Sequence, residues 1–464
     1  MKSTESSIAH DFSSFDHTAA ANVVAEVIET AYQRVTVKPL QQLAIEPLPA
    51  KGCGLAGFRQ QMTHYSAASC GLASPLMIGH MDTAPHPLAA YADAVTSALN
   101  NNLLFRELSP AASLIEEHLL EELSIRLGLR SDWHGTFCSG GSIANLTALF
   151  AATGGFAEVG ERHKVVLFVP ECAHASVLKS AAVLGIHPGR VHRTDSDEVG
   201  RTNVNQLAKQ LAEIRGTEPD SKAIVVAVTG STIHGAVERI GPLADVCEEF
   251  SAWLHVDAIY GAALAFSALH GNWLSGLDRA QSVVAGPQKW MFVPRVSAVV
   301  WVKGEAVFND TLAFTNNYST NTEPHRGTWG LQGSRRADAV TLWAVLSYIG
   351  TDALGDEIDA AIAKTKELYQ KLNDHPTLKP AHYPDLNLQC FSYRDNERKP
   401  SIDNSGYKQL GYEDNPWVSI SRWRNSEYFR TVVLSPGVEP NSATSSNSTL
   451  PGEYVFDSLL DALG

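Results

Sequence analysis

Between about Phe137 and Lys303 the chain alternates two hydrophobic rhythms. Residues 165–169, 223–228, 253–256 and 297–302 are near-continuous apolar runs of strand length. Between them, residues 177–184, 204–214 and 243–250 repeat apolar positions at helical spacing. Strands apolar on both faces, joined by crossover helices, predict an α/β fold with a mostly parallel sheet covered on both sides. In such sheets a ligand sits where the strands end.

Outside this region the pattern is more helical. Val23, Val24, Val27, Ile28 and Ala31 place an amphipathic helix over 20–35. A loop rich in Pro, Gly and small residues is expected up to about Ser74. Helices follow over 88–99 and 112–127, the second just after Pro110. After Arg336 the spacing of Val340, Leu342, Trp343 and Leu346 predicts a long helix, and a second covers 358–372. Strand-like runs at 386–393 and 430–434 suggest a small α+β unit. Residues 436–449 read as a loop by composition, and a short amphipathic helix over 454–463 closes the chain. The expected division is 1–105 as an N-terminal helical segment, 106–350 as a large α/β domain and 351–464 as a small α+β domain. No internal repeat is present.

Composition narrows the partners. The 464 residues are 44% hydrophobic and 19% charged, enough for a sizeable core. A net charge of −14 argues against a nucleic-acid surface or an anionic membrane, though a local pocket can still take a small anion. Six scattered cysteines with no C-x-x-C read as reduced thiols of a cytosolic protein. The N-terminus has no signal-like organisation, and no apolar stretch approaches the ~18 residues a membrane helix needs. A cytoplasmic protein is expected.

The chemistry concentrates in a few residues. Asp257 ends an apolar strand, where a carboxylate is costly unless it meets a cation. Lys289 follows 32 positions later, between strand-like segments poor in charge. A lysine amine that condenses with an aldehyde, and a carboxylate that keeps a pyridine nitrogen protonated, are the pair that pyridoxal phosphate requires. Upstream, Ser139, Gly140, Gly141 and Ser142 form a turn opening into a helix, whose exposed amides make an anion cradle. His174 stands between a strand and a helix, where a flat ring is suited to lie on the pyridine and to move a proton.

The ordered set resembles the group II pyridoxal-phosphate amino-acid decarboxylases, from about Pro75 to the C-terminus. The resemblance is carried by Leu99-Asn100-Asn101-Asn102, Ser109-Pro110-Ala111 with Glu116, and Ser139-Gly140-Gly141-Ser142-Ile143-Ala144-Asn145. It continues through Ala173-His174-Ala175-Ser176, Thr229-Gly230-Ser231-Thr232, His255-Val256-Asp257-Ala258, Pro287-Gln288-Lys289-Trp290 and Ser334-Arg335-Arg336 with Trp343. It implies an aspartate-aminotransferase-type (fold type I) large domain and a homodimer with active sites at the interface. It also implies decarboxylation of an L-amino acid to an amine and carbon dioxide. Lys289 would anchor the cofactor, Asp257 would pair with the ring nitrogen, and His174 would stack on the ring. The Ser139–Ser142 turn, Thr229 and Gln288 would complete the cofactor site.

Three positions depart from the family. Gln288 replaces a common histidine, and Ile259 replaces a small residue against the ring. The place of a proton-donating tyrosine falls near His325, with Tyr318 the one tyrosine of its segment. Tyr318 and His325 are therefore both candidate proton donors. If neither delivers the proton, oxygen would intercept the reaction and give oxidative deamination. Carbon–carbon lysis on the same scaffold, a catalytically silent cofactor-binding protein, and a zinc hydrolase are the other readings. The last rests on Gly79-His80-Met81-Asp82, which looks like a Gly-His-x-Asp zinc motif but lacks the later loop carboxylates such sites need. The decarboxylase reading makes this stretch a substrate-side loop, with His80 against the substrate carboxylate and no metal. No cluster of acidic residues around the pocket marks a diamine substrate.

Overall fold

The computed structural model describes residues 16–45, 47–48, 50–313, 326–401, 408–412, 415–434 and 453–464. Four helices come first: α1 (His17–Tyr32), α2 (Gly54–Ala68), α3 (Pro87–Leu99) and α4 (Pro110–Arg126). The large sheet and its covering helices follow as β1 (Trp133–Cys138), α5 (Gly141–Ala152), β2 (Val165–Pro170), α6 (Ala175–Val183), β3 (Val191–Thr194) and α7 (Val204–Thr217). They continue as β4 (Lys222–Val228), α8 (Ile240–Glu249), β5 (Trp253–Ala258), β6 (Ser282–Ala285), β7 (Ala298–Lys303) and α9 (Glu305–Leu312). Then come α10 (Asp338–Ile349), α11 (Thr351–Asp374), β8 (Leu378–Pro380), β9 (Leu388–Tyr393), β10 (Ser419–Trp423), β11 (Ser426–Val432) and α12 (Glu453–Leu463).

The large sheet has the order β1-β7-β6-β5-β4-β2-β3. It is parallel from β6 through β3, and β7 runs antiparallel to both β6 and β1. The period of two along β4 explains its apolar continuity. Val225 and Ala227 pack with the helices of one face, while Ile224, Val226 and Val228 pack with α5 and α6 on the other. A smaller antiparallel sheet, β10-β11-β9-β8, stands beside it.

Two features tie the parts together. Glu116 of α4 and Arg335 are both buried and form a two-pronged ion pair (Nη1–Oε1 2.7 Å, Nη2–Oε2 3.1 Å), and Glu116 also accepts from the Phe137 amide. The strap before α3 is bonded to the small sheet, Trp417 N to Leu76 O, Ile78 N to Trp417 O and Val432 N to Ile78 O. No described helix is long and apolar enough to cross a membrane.

The differences from the sequence reading have simple causes. The expected loop before Ser74 contains α2, which buries none of its residues and so shows little amphipathic signal. The apolar run of β1 is broken in sequence by His134 and Gly135, β3 is four residues on the sheet edge, and β6 is only Ser-Val-Val-Ala. Residues 436–449 lie outside the described residues.

Candidate active site

The register of the sheet brings the distant pair together. Asp257, near the end of β5, pairs with Val284 of β6, five positions before Lys289. Both residues line one cavity of about 280 Å³ at the ends of the parallel strands. The loop carrying the lysine is fixed by buried Trp290, Met291, Phe292 and Val293, and Trp290 stacks on Tyr260 with ring centres 5.1 Å apart. Gly286 begins that loop because a Cβ there would come within 2.6 Å of the Ile259 carbonyl oxygen.

Asp257 is 5% exposed. Its carboxylate accepts from Asn145 Nδ2 (2.9 Å) and from the Ile259 amide (3.2 Å). Burial pushes its carboxyl above the usual range, and these two hydrogen bonds oppose that only in part. A protonated ring nitrogen supplies the cation this carboxylate needs. Asn145 is itself held from both ends: Nδ2 also donates to Ser176 Oγ (3.0 Å), and Oδ1 meets His255 Nε2 (3.0 Å).

His174 caps α6, its Nδ1 accepting from the Ser176 amide (3.1 Å), which leaves Nε2 as the nitrogen that carries a proton. Gly141 and Ser142 open α5, whose cap residue Gly140 (φ 86°) makes no side-chain capping bond. Their amides are placed to meet an anion. A Cβ on Gly141 would stand 3.0 Å from Ile259 Cδ1, a tight approach that would push the Ile259 side chain aside. Gln288 lines the cavity and ties its own loop, accepting from the Ser297 amide (2.8 Å). These residues fit pyridoxal phosphate: a buried carboxylate short of a cation, an amide cradle, a ring beside them and a primary amine.

A model of the pyridoxal-dependent decarboxylase conserved domain matches residues 68–394. The L-2,4-diaminobutyrate decarboxylase of Rhizobium meliloti (strain 1021) is 30% identical over 392 residues, covering 82% of this chain and 76% of that protein. The aromatic-L-amino-acid decarboxylase of Bacillus atrophaeus is 31% identical over 339 residues, 70% of each chain. The crystal structure of mouse CSAD in apo form superposes with a TM-score of 0.82 at 22% identity, covering 96% of both chains. The chain belongs to the pyridoxal-dependent decarboxylases. It is a pyridoxal-phosphate-dependent carboxy-lyase acting on an amino acid, and its fold is fold type I.

Within this decarboxylase the structure sorts the expected site residues. Lys289, Asp257, His174, Gly141, Ser142, Gln288 and His80 line the cavity. Ser139, Gly140 and Thr229 do not. Ser139 is taken by Gln332, its amide donating to Oε1 (2.7 Å) and its hydroxyl accepting from Nε2 (2.8 Å). Thr229 is buried behind the wall, its amide on the Asp257 carbonyl (2.9 Å), and its neighbours Val228 and Gly230 reach the cavity instead. Tyr318 and His325 lie outside the described residues. The setting of Lys289 is also more charged than its neighbours in sequence suggest. Asp82 Oδ1 lies 2.5 Å from its Nζ and 3.0 Å from Arg295 Nη2.

In the Gly79–Asp82 stretch Asp82 pairs with two cations, Lys289 and Arg295, and His80 stacks on Trp417 (5.1 Å). Burial and the nearby Arg430 hold the His80 ring below its ordinary range, so it is neutral. Arg430, mid-strand in β11, gave no signal in sequence. Its guanidinium is buried, lines the cavity, and its Nε has no partner among the described residues.

Proposed function

We propose that this decarboxylase works as a cytosolic homodimer in which Lys289 anchors the cofactor and Asp257 faces its ring nitrogen. The carrying observation is that these two residues, 32 apart in sequence, line one cavity with His174 and the open start of α5. The bound cofactor supplies an electron sink for the bond to the departing carboxyl group. The chain supplies the rest. Asn145 holds the Asp257 carboxylate in place, the Gly141 and Ser142 amides would hold the phosphate, and His174 would stack on the ring and move a proton. Gln288 keeps the lysine loop closed. Arg430 takes a substrate carboxylate, since a buried guanidinium with an unmatched N–H is the strongest anion partner in the cavity. His80 borders the same side, and Tyr318 or His325 returns the proton.

The homodimer is supported by apolar surface. Tyr91, Val95 and Leu99 of α3 and Trp343 and Tyr348 of α10 are exposed on two helices that pack together. Six unpaired cysteines suit the cytosol. We assign 1–105, 106–350 and 351–464 as helical segment, cofactor domain and small domain. The test is product analysis over the common amino acids, with and without oxygen. Carbon dioxide and amine in equal amounts are expected in both. Ammonia or peroxide matching the carbon dioxide would replace this reading with the oxidative one.

A further inference from the structure

We propose that the substrate of this decarboxylase carries an ammonium group on its side chain and that Asp82 selects it. The proposal rests on the cavity being the active site. The charged side chains lining that cavity are Asp82, Asp257, Lys289 and Arg430. Asp257 serves the ring nitrogen and Lys289 the cofactor aldehyde. Asp82 and Arg430 remain for the substrate, one anion and one cation. An amino acid with a cationic side chain matches both, its carboxylate on Arg430 and its side-chain ammonium on Asp82. A second carboxylate would meet Asp82 as a like charge, and an aromatic side chain would desolvate that carboxylate with nothing in return.

Asp82 already binds a group of this kind. The Lys289 side chain is an alkylammonium, and it rests on Oδ1 at 2.5 Å inside the cavity. With the lysine nitrogen committed to the cofactor, a substrate ammonium finds the same oxygen. Burial alone would raise the Asp82 carboxyl, but Lys289 and then Arg295 outweigh it and hold it below the usual range; in the loaded protein the substrate ammonium takes the place of Lys289 beside Arg295. Arg295 orients the carboxylate from outside: its side chain is 42% exposed and lines a separate apolar cleft beside Tyr32. Water screens that pair, so it does not cancel the charge presented inward. Neutral His80 adds no competing cation. Asp82 and Arg430 are also held in fixed relation, because the strap before Asp82 is bonded to Val432, two residues beyond Arg430.

The test compares kcat/KM of the holoenzyme for 2,4-diaminobutyrate, ornithine and lysine with norvaline, norleucine and glutamate. At least one diamino acid is expected to exceed its neutral counterpart by about tenfold or more, and Asp82→Asn to shrink that ratio by about as much, mainly through KM. A second readout needs no turnover: 1,3-diaminopropane or putrescine, titrated calorimetrically into the loaded protein, binds the wild type and not Asp82→Asn. Preference for glutamate or for aromatic amino acids overturns the proposal. So does an Asp82→Asn loss equal for every substrate, which would make Asp82 only a support for Lys289. A loaded protein that releases carbon dioxide from no amino acid overturns the decarboxylase reading itself.

Discussion

Asp257→Asn keeps the volume of the buried side chain and removes its charge, so it separates a structural carboxylate from one that serves a bound cation. Without cofactor, the amide cannot accept from both Asn145 Nδ2 and the Ile259 amide, which loses about 1 kcal/mol of hydrogen bonding. Removing a buried charge that lacks a full partner returns a comparable amount. The unloaded variant should therefore match the wild type within about 1 kcal/mol. With cofactor bound, the lost partner of the ring nitrogen costs about 3 kcal/mol or more, which is about 100-fold in Kd. At a cofactor concentration of ~100 times the wild-type Kd, ligand-linked stabilisation is then about 2.7 kcal/mol for the wild type and about 0.4 kcal/mol for the variant. The sign with pH is also fixed. Because the folded carboxyl is raised, its proton-linked stability is present at low pH and is lost as pH rises from the ordinary carboxylate range through the raised folded value. The variant lacks that fall. Urea denaturation of both proteins, with and without pyridoxal phosphate and at several pH values, reads all three effects. An unloaded variant destabilised by several kcal/mol, or one with wild-type cofactor affinity, would refute the reasoning.

Glu116→Gln strands the buried Arg335 charge and should cost about 3–5 kcal/mol in urea denaturation; a loss below about 1 kcal/mol would show the pair to be dispensable. His255 is buried and held down to about 4, so the wild type should lose about 1.4 kcal/mol per pH unit from this ring between pH 6.5 and 4. His255→Gln, measured by denaturation at pH 7 and pH 5, should be less acid-sensitive, and an unchanged slope would contradict this. Arg430→Gln should raise KM by about tenfold or more while leaving the bound-cofactor absorbance intact. Loss of that absorbance would instead place Arg430 in the cofactor site.

What the sequence disclosed follows from what each signal measures. Strands 165–170 and 222–228 are apolar on both faces, so burial wrote their whole length into the chain. Edge strand β3 and four-residue β6 bury too little to do so. The site divides the same way. Asp257, Lys289 and His174 stand at strand ends in recognisable settings, and the register of β5 with β6 makes their sequence spacing a spatial one. Asp82 and Arg430 belong to the strap and the small sheet, and long-range bonds such as those between Leu76, Ile78, Trp417 and Val432 carry them to the cavity. Gln332 holds Ser139 across 193 positions, a pairing that no local pattern encodes.

Borohydride reduction of the fully loaded protein, followed by digestion and mass spectrometry, asks most directly where the cofactor is attached. A single pyridoxyl mass on Lys289 is the expected result. The same mass on another lysine, or an unmodified Lys289 in saturated protein, would contradict the assignment on which the site, the reaction and the substrate proposal all stand.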